Sequence, residues 1–332
     1  MTRRLPGTAL DVLGQRTEMA VWEDELPPPR EELLRQAARC EGLVTLLTDR
    51  IDEELLAAAP RLRVVSNMAT GFDNIDLAAA SRRNVLVTRT PGVLSETVAD
   101  FTFALMLAAA RRVAEGDRHV RAGRWKTWGP QVMLGHDVHS ATLGIVGLGG
   151  IGEAVARRAR GFGMRLVYHS RSRKPALERR LRLEFLSLQD LLAQSDFVSL
   201  HAPLTTETRG FIGERELRLM KPAAVLVNTA RGPLIDQAAL YRALNEGWIA
   251  AAALDVTDPE PMPGDDPLLT LANVIVTPHI ASASVATRSR MALLAVENLL
   301  TALEGRVPKD TANPEIAKQW RRAFGGNRQR LS

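Results

Sequence analysis

The chain has 332 residues, of which 45% are hydrophobic and 24% charged, and its formal net charge is +5. These values are typical of a globular protein and exclude a disordered or membrane-embedded one, and the length favours two domains over one. The basic runs are short and interleaved with acids, and aromatic side chains are scarce, so we expect a solvated basic surface and no binding of nucleic acid.

Location and oxidation state follow from three further features. The longest apolar stretch, 98–110, is interrupted by Asp100 and Thr102 and is too short to span a bilayer. No basic and then apolar leader opens the chain. The single cysteine, Cys40, cannot form an intrachain disulfide. We therefore expect a cytoplasmic protein that has no membrane partner.

The first part of the chain alternates short helices with short strands. The patterns predict helices over 31–39, 52–59 and 76–83 and strands over 42–47, 62–67 and 85–88. A long apolar helix follows over 95–112. After it comes an arm that carries Trp125 and Trp128.

From Thr142 the alternation is cleaner. It predicts strands over 142–146, 165–169, 197–201, 224–228, 251–256 and 273–276, and helices over 152–161, 187–194 and 237–246. Strands and helices that alternate at this pace are typical of a doubly wound parallel sheet. A last amphipathic helix over 282–304 leads into a polar tail. We predict an α/β protein with two Rossmann-like domains, of which the first is discontinuous.

A glycine-rich turn directly follows the strand over 142–146 and opens the next helix. Its sequence is Gly147-Leu148-Gly149-Gly150-Ile151-Gly152. In this context the glycines allow a tight turn and the close approach of a pyrophosphate to the helix N-terminus, so the turn predicts a dinucleotide site. The alternative is a glycine-rich turn that binds no ligand.

The end of the next strand bears on which dinucleotide binds. An NAD site usually places an acid there for the ribose 2′-hydroxyl, whereas this chain has Ser170, Arg171 and Arg173 and no acid before Glu178. Because arginine forms charge-assisted bonds to phosphate, we predict a preference for NADPH, with NADH as a possible second cofactor. The alternative is an exposed basic loop without a ligand.

Three ionisable side chains follow three successive strand-like runs of the second half. Arg231 follows 224–228, Glu260 follows 251–256 and His279 follows 273–276. Ligands of open parallel sheets bind beyond the carboxyl ends of the strands, so this set predicts a site that binds a small acid and moves a proton. The alternatives are a surface ion-pair partner, a solvated loop acid and a structural histidine.

With these segments in place, the chain resembles the D-isomer-specific 2-hydroxyacid dehydrogenase family over nearly its whole length, and within it the glyoxylate/hydroxypyruvate reductases. The resemblance rests on the motifs SNMATGFDNID at 66–76, GLGGIG at 147–152, HAPLT at 201–205, NTARG at 228–232, ALDV at 253–256 with PEP at 259–261, and TPHIAS at 277–282.

The resemblance implies reduction of a small 2-oxo acid. Arg231 would bind the substrate carboxylate, His279 would act as general acid, and Glu260 would orient His279. It implies a substrate-binding domain formed by 1–96 and 283–332 and an NAD(P)-binding domain formed by 97–282. The cofactor contacts it implies beyond the glycine turn and the basic loop are His201, Ala202, Pro203, Thr208, Thr229, Ala230, Arg231, Asp255, His279 and Ala281.

On the substrate side, the resemblance implies contacts from the loop Ala69-Thr70-Gly71. It also implies a homodimer in which Trp128 caps the neighbouring subunit's site; plain packing in the dimer interface is the alternative for this side chain. Two departures stand out. Gly150 replaces the family's usual arginine, and the chain begins at Met1-Thr2-Arg3-Arg4-Leu5-Pro6, where relatives usually have several more residues that form a first strand. We therefore expect the opening strand to be clipped or poorly ordered.

Other activities remain compatible with the same residues. A 2-ketogluconate reductase and a phosphoglycerate-type dehydrogenase share the expected chemistry. A nucleotide-sensing corepressor would reuse the fold for protein binding, because fold alone does not determine function.

Overall fold

A computed structural model describes residues 1–325. The chain divides into two compact units, which are Met1–Leu94 with Ala283–Ser332, and Ser95–Ser282. The domain boundaries expected from the sequence lie at 96/97 and 282/283, and those of the units lie at 94/95 and 282/283. We refer to the discontinuous unit as unit 1 and to the continuous one as unit 2.

The helices of the described residues are, in chain order, α1 (Ala9–Gly14), α2 (Arg30–Ala37), α3 (Glu53–Ala58), α4 (Leu77–Arg82), α5 (Ser95–Ala110), α6 (Val113–Arg121), α7 (Gly150–Ala159), α8 (Pro175–Leu181), α9 (Leu188–Gln194), α10 (Glu214–Leu219), α11 (Gln237–Asn245), α12 (Val285–Leu303) and α13 (Ala317–Phe324). The strands are β1 (Gly42–Thr45), β2 (Val64–Asn67), β3 (Leu86–Thr88), β4 (Thr142–Val146), β5 (Arg165–His169), β6 (Leu183–Phe185), β7 (Phe197–Leu200), β8 (Val225–Asn228), β9 (Ala251–Leu254) and β10 (Val274–Val276).

Both sheets are parallel. Unit 1 has three strands in the order β1-β2-β3, and unit 2 has seven in the order β10-β9-β8-β7-β4-β5-β6. Six of the seven strands of unit 2 follow the doubly wound dinucleotide-binding order, and β10 extends the sheet beyond β9. The predicted fold class is therefore confirmed.

Short side chains begin many of these helices. Asp52, Asp76, Ser187, Asp236 and Ser284 each accept a hydrogen bond from a backbone N–H in the first turn of the helix that follows. These acceptors satisfy donors that the first turn otherwise leaves unpaired, so the starts of these five helices are encoded locally.

The core of unit 2 is built around its central strands. Strands β7, β8 and β9 are buried along their whole length, as expected for a sheet covered by helices on both faces. Helix α5 packs against α7, β8 and β9, which explains its apolar residues on every face. None of the helices of residues 1–325 is long and apolar enough to cross a membrane.

Some local predictions need correction, and α1 is a further element that the sequence patterns did not predict. The helix predicted over 95–112 ends at Ala110, because Arg112 adopts a left-handed backbone (φ +53°) and α6 starts after it. The segment between β5 and α9 contains α8 and β6, and α10 precedes β8; the sequence patterns predicted none of these. The polar tail contains α13, whose buried Trp320 donates a hydrogen bond to the Arg63 carbonyl at 3.0 Å.

The opening residues of the chain lie before α1 and outside the three-stranded sheet. Among residues 1–41 of the structure none belongs to a strand, and the first element is α1. Thr2 nevertheless lies beside β1, since its backbone N–H donates to the Val44 carbonyl at 3.2 Å.

Candidate active site

The strand register brings three strand ends together at one edge of the seven-stranded sheet. Asn228 of β8 and Val276 of β10 both lie opposite Leu254 of β9. Neighbouring strands lie about 4.8 Å apart, so the chain leaves the sheet at three points within about 10 Å. Arg231 and His279 each follow three residues after these ends.

His279 and Glu260 form a close pair in this region. The imidazole Nδ1 lies 2.5 Å from the carboxylate Oε1 of Glu260. The two side chains are only partly exposed, at 21% and 34%. A carboxylate accepts and does not donate, so Nδ1 carries a proton and donates to Glu260. The second ring nitrogen, Nε2, takes no part in this contact.

The backbone of His279 has a left-handed conformation with φ of +54°. Its N–H donates to the carbonyl oxygens of Asp255 and Thr277, at 2.9 and 3.0 Å. A non-glycine residue in this region is costly unless its surroundings hold it, and such residues cluster at functional sites. The loop is therefore built to present one imidazole in one orientation.

Asp255 holds that loop in place. Its carboxylate is 1% exposed and accepts hydrogen bonds from the Thr277 hydroxyl (2.6 Å) and from the N–H groups of Ile280 (2.8 Å) and Ala281 (2.7 Å). Charge-assisted bonds of this kind are among the stronger ones in proteins. The family resemblance implied a cofactor contact for Asp255, and no sequence pattern indicated that it anchors the His279 loop.

A second loop presents Arg231. Asn228 is fully buried, accepts from the N–H of Ala230 at 3.0 Å and donates to the carbonyl of Arg231 at 2.8 Å. The Nη1 of Arg231 donates to the Ala230 carbonyl at 2.8 Å. Thr229 on the same loop shares a 3.0 Å hydroxyl contact with Thr102 of α5. The loop geometry is thus fixed from both sides.

Gly232 joins this loop to the one that carries Glu260. A Cβ at Gly232 would lie 2.6 Å from the Cα of Thr257, and closer still to its carbonyl atoms. The Thr257 hydroxyl in turn donates to the Pro259 carbonyl at 2.8 Å. Only glycine allows the backbones at positions 232 and 257 to approach so closely. The Arg231 and Glu260 loops therefore pack directly against each other.

The glycine turn lies at the end of β4, where the strand order reverses between β4 and β7. Gly147 has φ of +97°, and a Cβ there would lie 2.6 Å from the backbone of His201 and Ala202. A Cβ at Gly152 would overlap the Gly147 carbonyl oxygen, whereas one at Gly149 would meet nothing within 4 Å. Two glycines are thus needed by the fold, and Gly149 leaves open space in front of the α7 N-terminus, which suits a pyrophosphate.

The departure at Gly150 has a structural counterpart. Gly150 begins α7, and a Cβ there would lie 3.2 Å from the hydroxyl of Ser95. The backbone of Ile151 continues the first turn of the helix. Position 150 therefore contributes no side chain to the turn.

The HAPLT segment follows β7, next to the glycine turn. The Nε2 of His201 lies 2.8 Å from the Ser199 hydroxyl, and its buried Nδ1 has no hydrogen-bond partner within residues 1–325. Burial lowers the pKa of His201 to about 3. Thr208 donates to the Pro203 carbonyl at 2.7 Å and accepts from the Thr205 N–H at 2.8 Å, so its hydroxyl closes the turn after this segment. The resemblance implied only cofactor contacts here.

The basic loop follows β5, on the other side of β4. The Ser170 hydroxyl donates to the Ser172 carbonyl at 2.7 Å. Arg173 forms two hydrogen bonds to Glu178, with Nη2–Oε2 at 2.7 Å and Nε–Oε1 at 3.2 Å. Arg171 has no carboxylate at ion-pair distance among the described residues. Of the three residues predicted to bind a 2′-phosphate, Arg173 is the one that already has a counter-ion.

Comparison with known proteins decides the family. Residues 103–281 match the family model described as "D-isomer specific 2-hydroxyacid dehydrogenase, NAD binding domain". A glyoxylate reductase of Korarchaeum cryptofilum is 54% identical over 319 residues, which cover 96% of each chain. The chain belongs to the D-isomer-specific 2-hydroxyacid dehydrogenase family. It is an NAD(P)-dependent dehydrogenase.

Two solved structures are similar to this dehydrogenase over most of its length. The TT0316 protein of Thermus thermophilus is 50% identical and superimposes with a TM-score of 0.89 over 94% of this chain and 98% of its own. An NADPH-dependent glyoxylate/hydroxypyruvate reductase of Sinorhizobium meliloti is 31% identical, with a TM-score of 0.79 over 94% of this chain and 96% of its own.

In unit 1 of the dehydrogenase, the predicted substrate loop follows the end of β2. The Ala69 carbonyl accepts from the Thr90 N–H at 2.8 Å, and the Thr70 hydroxyl donates to the Thr90 carbonyl at 3.2 Å. Asn67 donates to the Gly71 carbonyl at 3.1 Å. The loop is thus pinned at each of its three residues.

The arm of the dehydrogenase leaves its aromatic side chains in the open. Trp128 is 79% exposed in the single chain, and Trp125 is also exposed. Within residues 1–325, no three His, Cys, Asp or Glu side chains are arranged to hold a metal ion.

Proposed function

We propose that this dehydrogenase reduces a small 2-oxo acid, glyoxylate or hydroxypyruvate, to the D-2-hydroxy acid and prefers NADPH as reductant. The observation that carries the proposal is the His279–Glu260 pair, with its 2.5 Å contact, at the same sheet edge as the glycine turn. The reduced nicotinamide, when bound, supplies the hydride. The chain's own residues bind the acid and provide the proton.

His279 would supply that proton from Nε2. Since Glu260 accepts from Nδ1, the imidazole is held in the orientation that leaves Nε2 to the substrate oxygen. The carboxylate of Glu260 also places a negative charge next to the ring that gives up the proton. Glu260 is therefore a positioning residue and His279 the general acid in this proposal.

Arg231 would bind the substrate carboxylate. A planar guanidinium forms paired hydrogen bonds to a carboxylate, and the loop that carries it is fixed by Asn228 and by packing at Gly232. A small acid held by its carboxylate presents its keto oxygen at a defined distance from that charge. The Ala69–Gly71 loop stays a prediction as a second contact to the acid.

The preference for NADPH rests on the basic loop. Ser170 and Arg171 directly follow β5, in register with the end of β4 that carries the glycine turn. Arg171 has no carboxylate at ion-pair distance among the described residues, so its guanidinium suits a 2′-phosphate. One structural relative is named as an NADPH-dependent glyoxylate/hydroxypyruvate reductase. His201, Ala202, Pro203, Thr229 and Ala230 lie at the ends of the neighbouring strands, where a bound dinucleotide would reach them.

A substrate panel with both cofactors tests the proposal. We expect the highest kcat/KM for glyoxylate or hydroxypyruvate with NADPH, and lower values for 2-ketogluconate and 3-phosphohydroxypyruvate. Equal or better efficiency with NADH would contradict the cofactor preference. Activity confined to 2-ketogluconate would contradict the substrate assignment.

Substitution at the pair tests the proton transfer. Asparagine tolerates the left-handed backbone at position 279, so His279→Asn isolates the loss of the acid. We expect kcat to fall by about 10²–10⁴-fold and the Kd of NADPH to change little. Glu260→Gln should lower kcat less. A His279→Asn enzyme within a few-fold of wild type would exclude the assigned role.

We also propose that the enzyme is a homodimer joined through the arm. Within the segment 113–134, several large apolar side chains are exposed in the single chain, and exposed apolar surface of this extent marks interaction sites. Among them are Val113, Val120, Trp125, Trp128 and Leu134. Sedimentation equilibrium should give twice the chain mass, and Val120→Glu should shift the protein to a monomer. If Trp128 caps the partner's site, Trp128→Ala should raise KM for the 2-oxo acid and leave the dimer intact.

A further inference from the structure

The basic loop after β5 contains its own counter-ion. Glu178 of α8 holds Arg173 in a bidentate ion pair, with oxygen–nitrogen distances of 2.7 and 3.2 Å. The guanidinium side chain is 62% exposed, whereas the carboxylate side chain is 14% exposed. The acid is thus held beneath the loop, and the arginine lies over it.

Tyr168 of β5 fixes the carboxylate from the other side. Its hydroxyl donates to Oε1 of Glu178 at 2.7 Å and accepts from the Lys174 N–H at 2.7 Å. Tyr168 is fully buried in the sheet. Hydrogen bonds from Arg173 and then from Tyr168 lower the pKa of Glu178 to about 2, so the carboxylate is ionised at any working pH.

Arg171 faces a different environment two residues earlier. Glu207 is the acid whose pKa its charge affects, and that pKa is lowered chiefly by a hydrogen bond from Thr205 and only in a lesser part by Arg171. Within residues 1–325 Arg171 forms no ion pair of its own. The loop therefore offers one guanidinium without a bound carboxylate and one that is already engaged.

We infer that Glu178 is a specificity-determining residue, because its carboxylate occupies the guanidinium of Arg173 that a cofactor 2′-phosphate would otherwise bind. The inference rests on the proposed binding of NADP(H) at this loop. A 2′-phosphate that engages Arg173 must break two hydrogen bonds and then lie beside the carboxylate that it displaced. Like charges at that spacing repel, so part of the attraction of the basic loop is cancelled.

The same arrangement explains how NADH can remain a cofactor. A ribose 2′-hydroxyl brings no charge and does not compete with Glu178 for Arg173. The chain therefore binds the 2′-phosphate mainly through Ser170 and Arg171. Its preference for NADPH over NADH is weaker than it would be if Arg173 also contributed. Removal of the acid should release Arg173 and strengthen the preference.

The test measures binding of two cofactor fragments to the whole protein by calorimetry. They are 2′,5′-ADP, which carries the 2′-phosphate, and 5′-AMP, which lacks it. Glu178→Gln should tighten 2′,5′-ADP by about fivefold to tenfold, a charge-assisted contact reduced by solvent exposure, and leave 5′-AMP within about twofold. The matched control is Glu184→Gln, which removes the same charge from the 2.7 Å pair with Arg165 at the start of β5. It should change neither affinity.

A second substitution keeps the test independent of loop folding. In the wild-type background Arg173→Gln should weaken 2′,5′-ADP by only about twofold, because its guanidinium is engaged by Glu178. In the Glu178→Gln background the same change should abolish the whole gain, which a double-mutant cycle measures as coupling. If Glu178 only supports the loop, its substitution will weaken both fragments equally, and the inference is overturned.

The outcomes separate this inference from the proposed cofactor preference. If the wild type binds both fragments equally and Glu178→Gln gains affinity for 2′,5′-ADP, the preference is wrong and the counter-ion role stands. If the wild type prefers 2′,5′-ADP and Glu178→Gln gains nothing, the preference stands and the counter-ion role is wrong.

Discussion

Gly232 offers a sharp test of how the Arg231 and Glu260 loops are joined. In Gly232→Ala, the new methyl group would lie 2.6 Å from the Thr257 Cα, whereas non-bonded carbon atoms prefer about 3.5–4.0 Å. The backbones must therefore separate by about 1 Å. Because both contacting groups are backbone, no side-chain rotation can relieve the overlap.

This displacement has two effects, one on stability and one on catalysis. Overpacking of this kind costs about 1–3 kcal/mol of unfolding free energy. Arg231 is the residue directly before Gly232, and a misplacement of about 1 Å in a substrate-positioning group can lower kcat/KM by about 10²-fold. We therefore expect a protein that still folds and whose kcat/KM falls by about 10²-fold.

The assay compares urea unfolding with kcat/KM for glyoxylate. The matched control is Gly264→Ala in the loop that precedes β10, where an added Cβ meets nothing within 4 Å, and it should behave as wild type. A Gly232→Ala enzyme with kcat/KM within twofold of the control would refute the coupling of the two loops. A loss that is fully explained by a lower folded fraction would refute it as well.

Three further predictions concern the same unit. Gly149→Ala should unfold as wild type does but bind NADPH at least about tenfold more weakly, because its methyl group lies only in the space proposed for the pyrophosphate. Gly152→Ala should be destabilised by at least about 1 kcal/mol, because its methyl group overlaps the Gly147 carbonyl. Calorimetry measures the binding of NADPH, and thermal melts measure the stability. Asp255→Asn should lower the unfolding free energy by about 1–3 kcal/mol, since one of its three donors must face an amide N–H₂, and urea titration at pH 7 measures the change. The low pKa of His201, about 3, lies below the ordinary value of 6.5, so below pH 6.5 the unfolded chain binds a proton that the folded chain does not. Stability should therefore fall as the pH drops toward 3, by about 2 kcal/mol between pH 7 and pH 5, and His201→Gln should remove this part of the slope; equal slopes in both proteins would contradict the assignment.

Where hydrophobic alternation is clean, the sequence predicts the elements well. Strands β4 and β5 were predicted at 142–146 and 165–169, which are their bounds in the structure. Helix α8 and strand β6 were missed, because the segment from Arg171 to Arg182 is so rich in arginine that the apolar positions Leu177 and Leu181 give little periodicity. No glycine or proline lies at the helix break at Arg112, so the sequence gives no signal that α5 ends there.

In the candidate site, too, some features can be predicted from the sequence and others cannot. Arg231, Glu260 and His279 follow strand-like runs, and parallel strands end at a common edge, so their proximity can be inferred without coordinates. The anchoring bonds of Asp255 and the pairing of Arg173 with Glu178 depend on where side chains point after the backbone turns. Composition and spacing carry no information on those directions.

The position of β10 at the edge of the sheet affects how this enzyme loses activity on heating. It is the outermost strand of its sheet, pairs only with β9 and spans three residues, Val274–Val276. Strands with a single neighbour open more readily than central ones. On heating, β10 should detach and displace His279, the proposed proton donor, while the nucleotide-binding region around β4 is still folded. Inactivation would then precede any collapse of the sheet, and cooling would restore turnover.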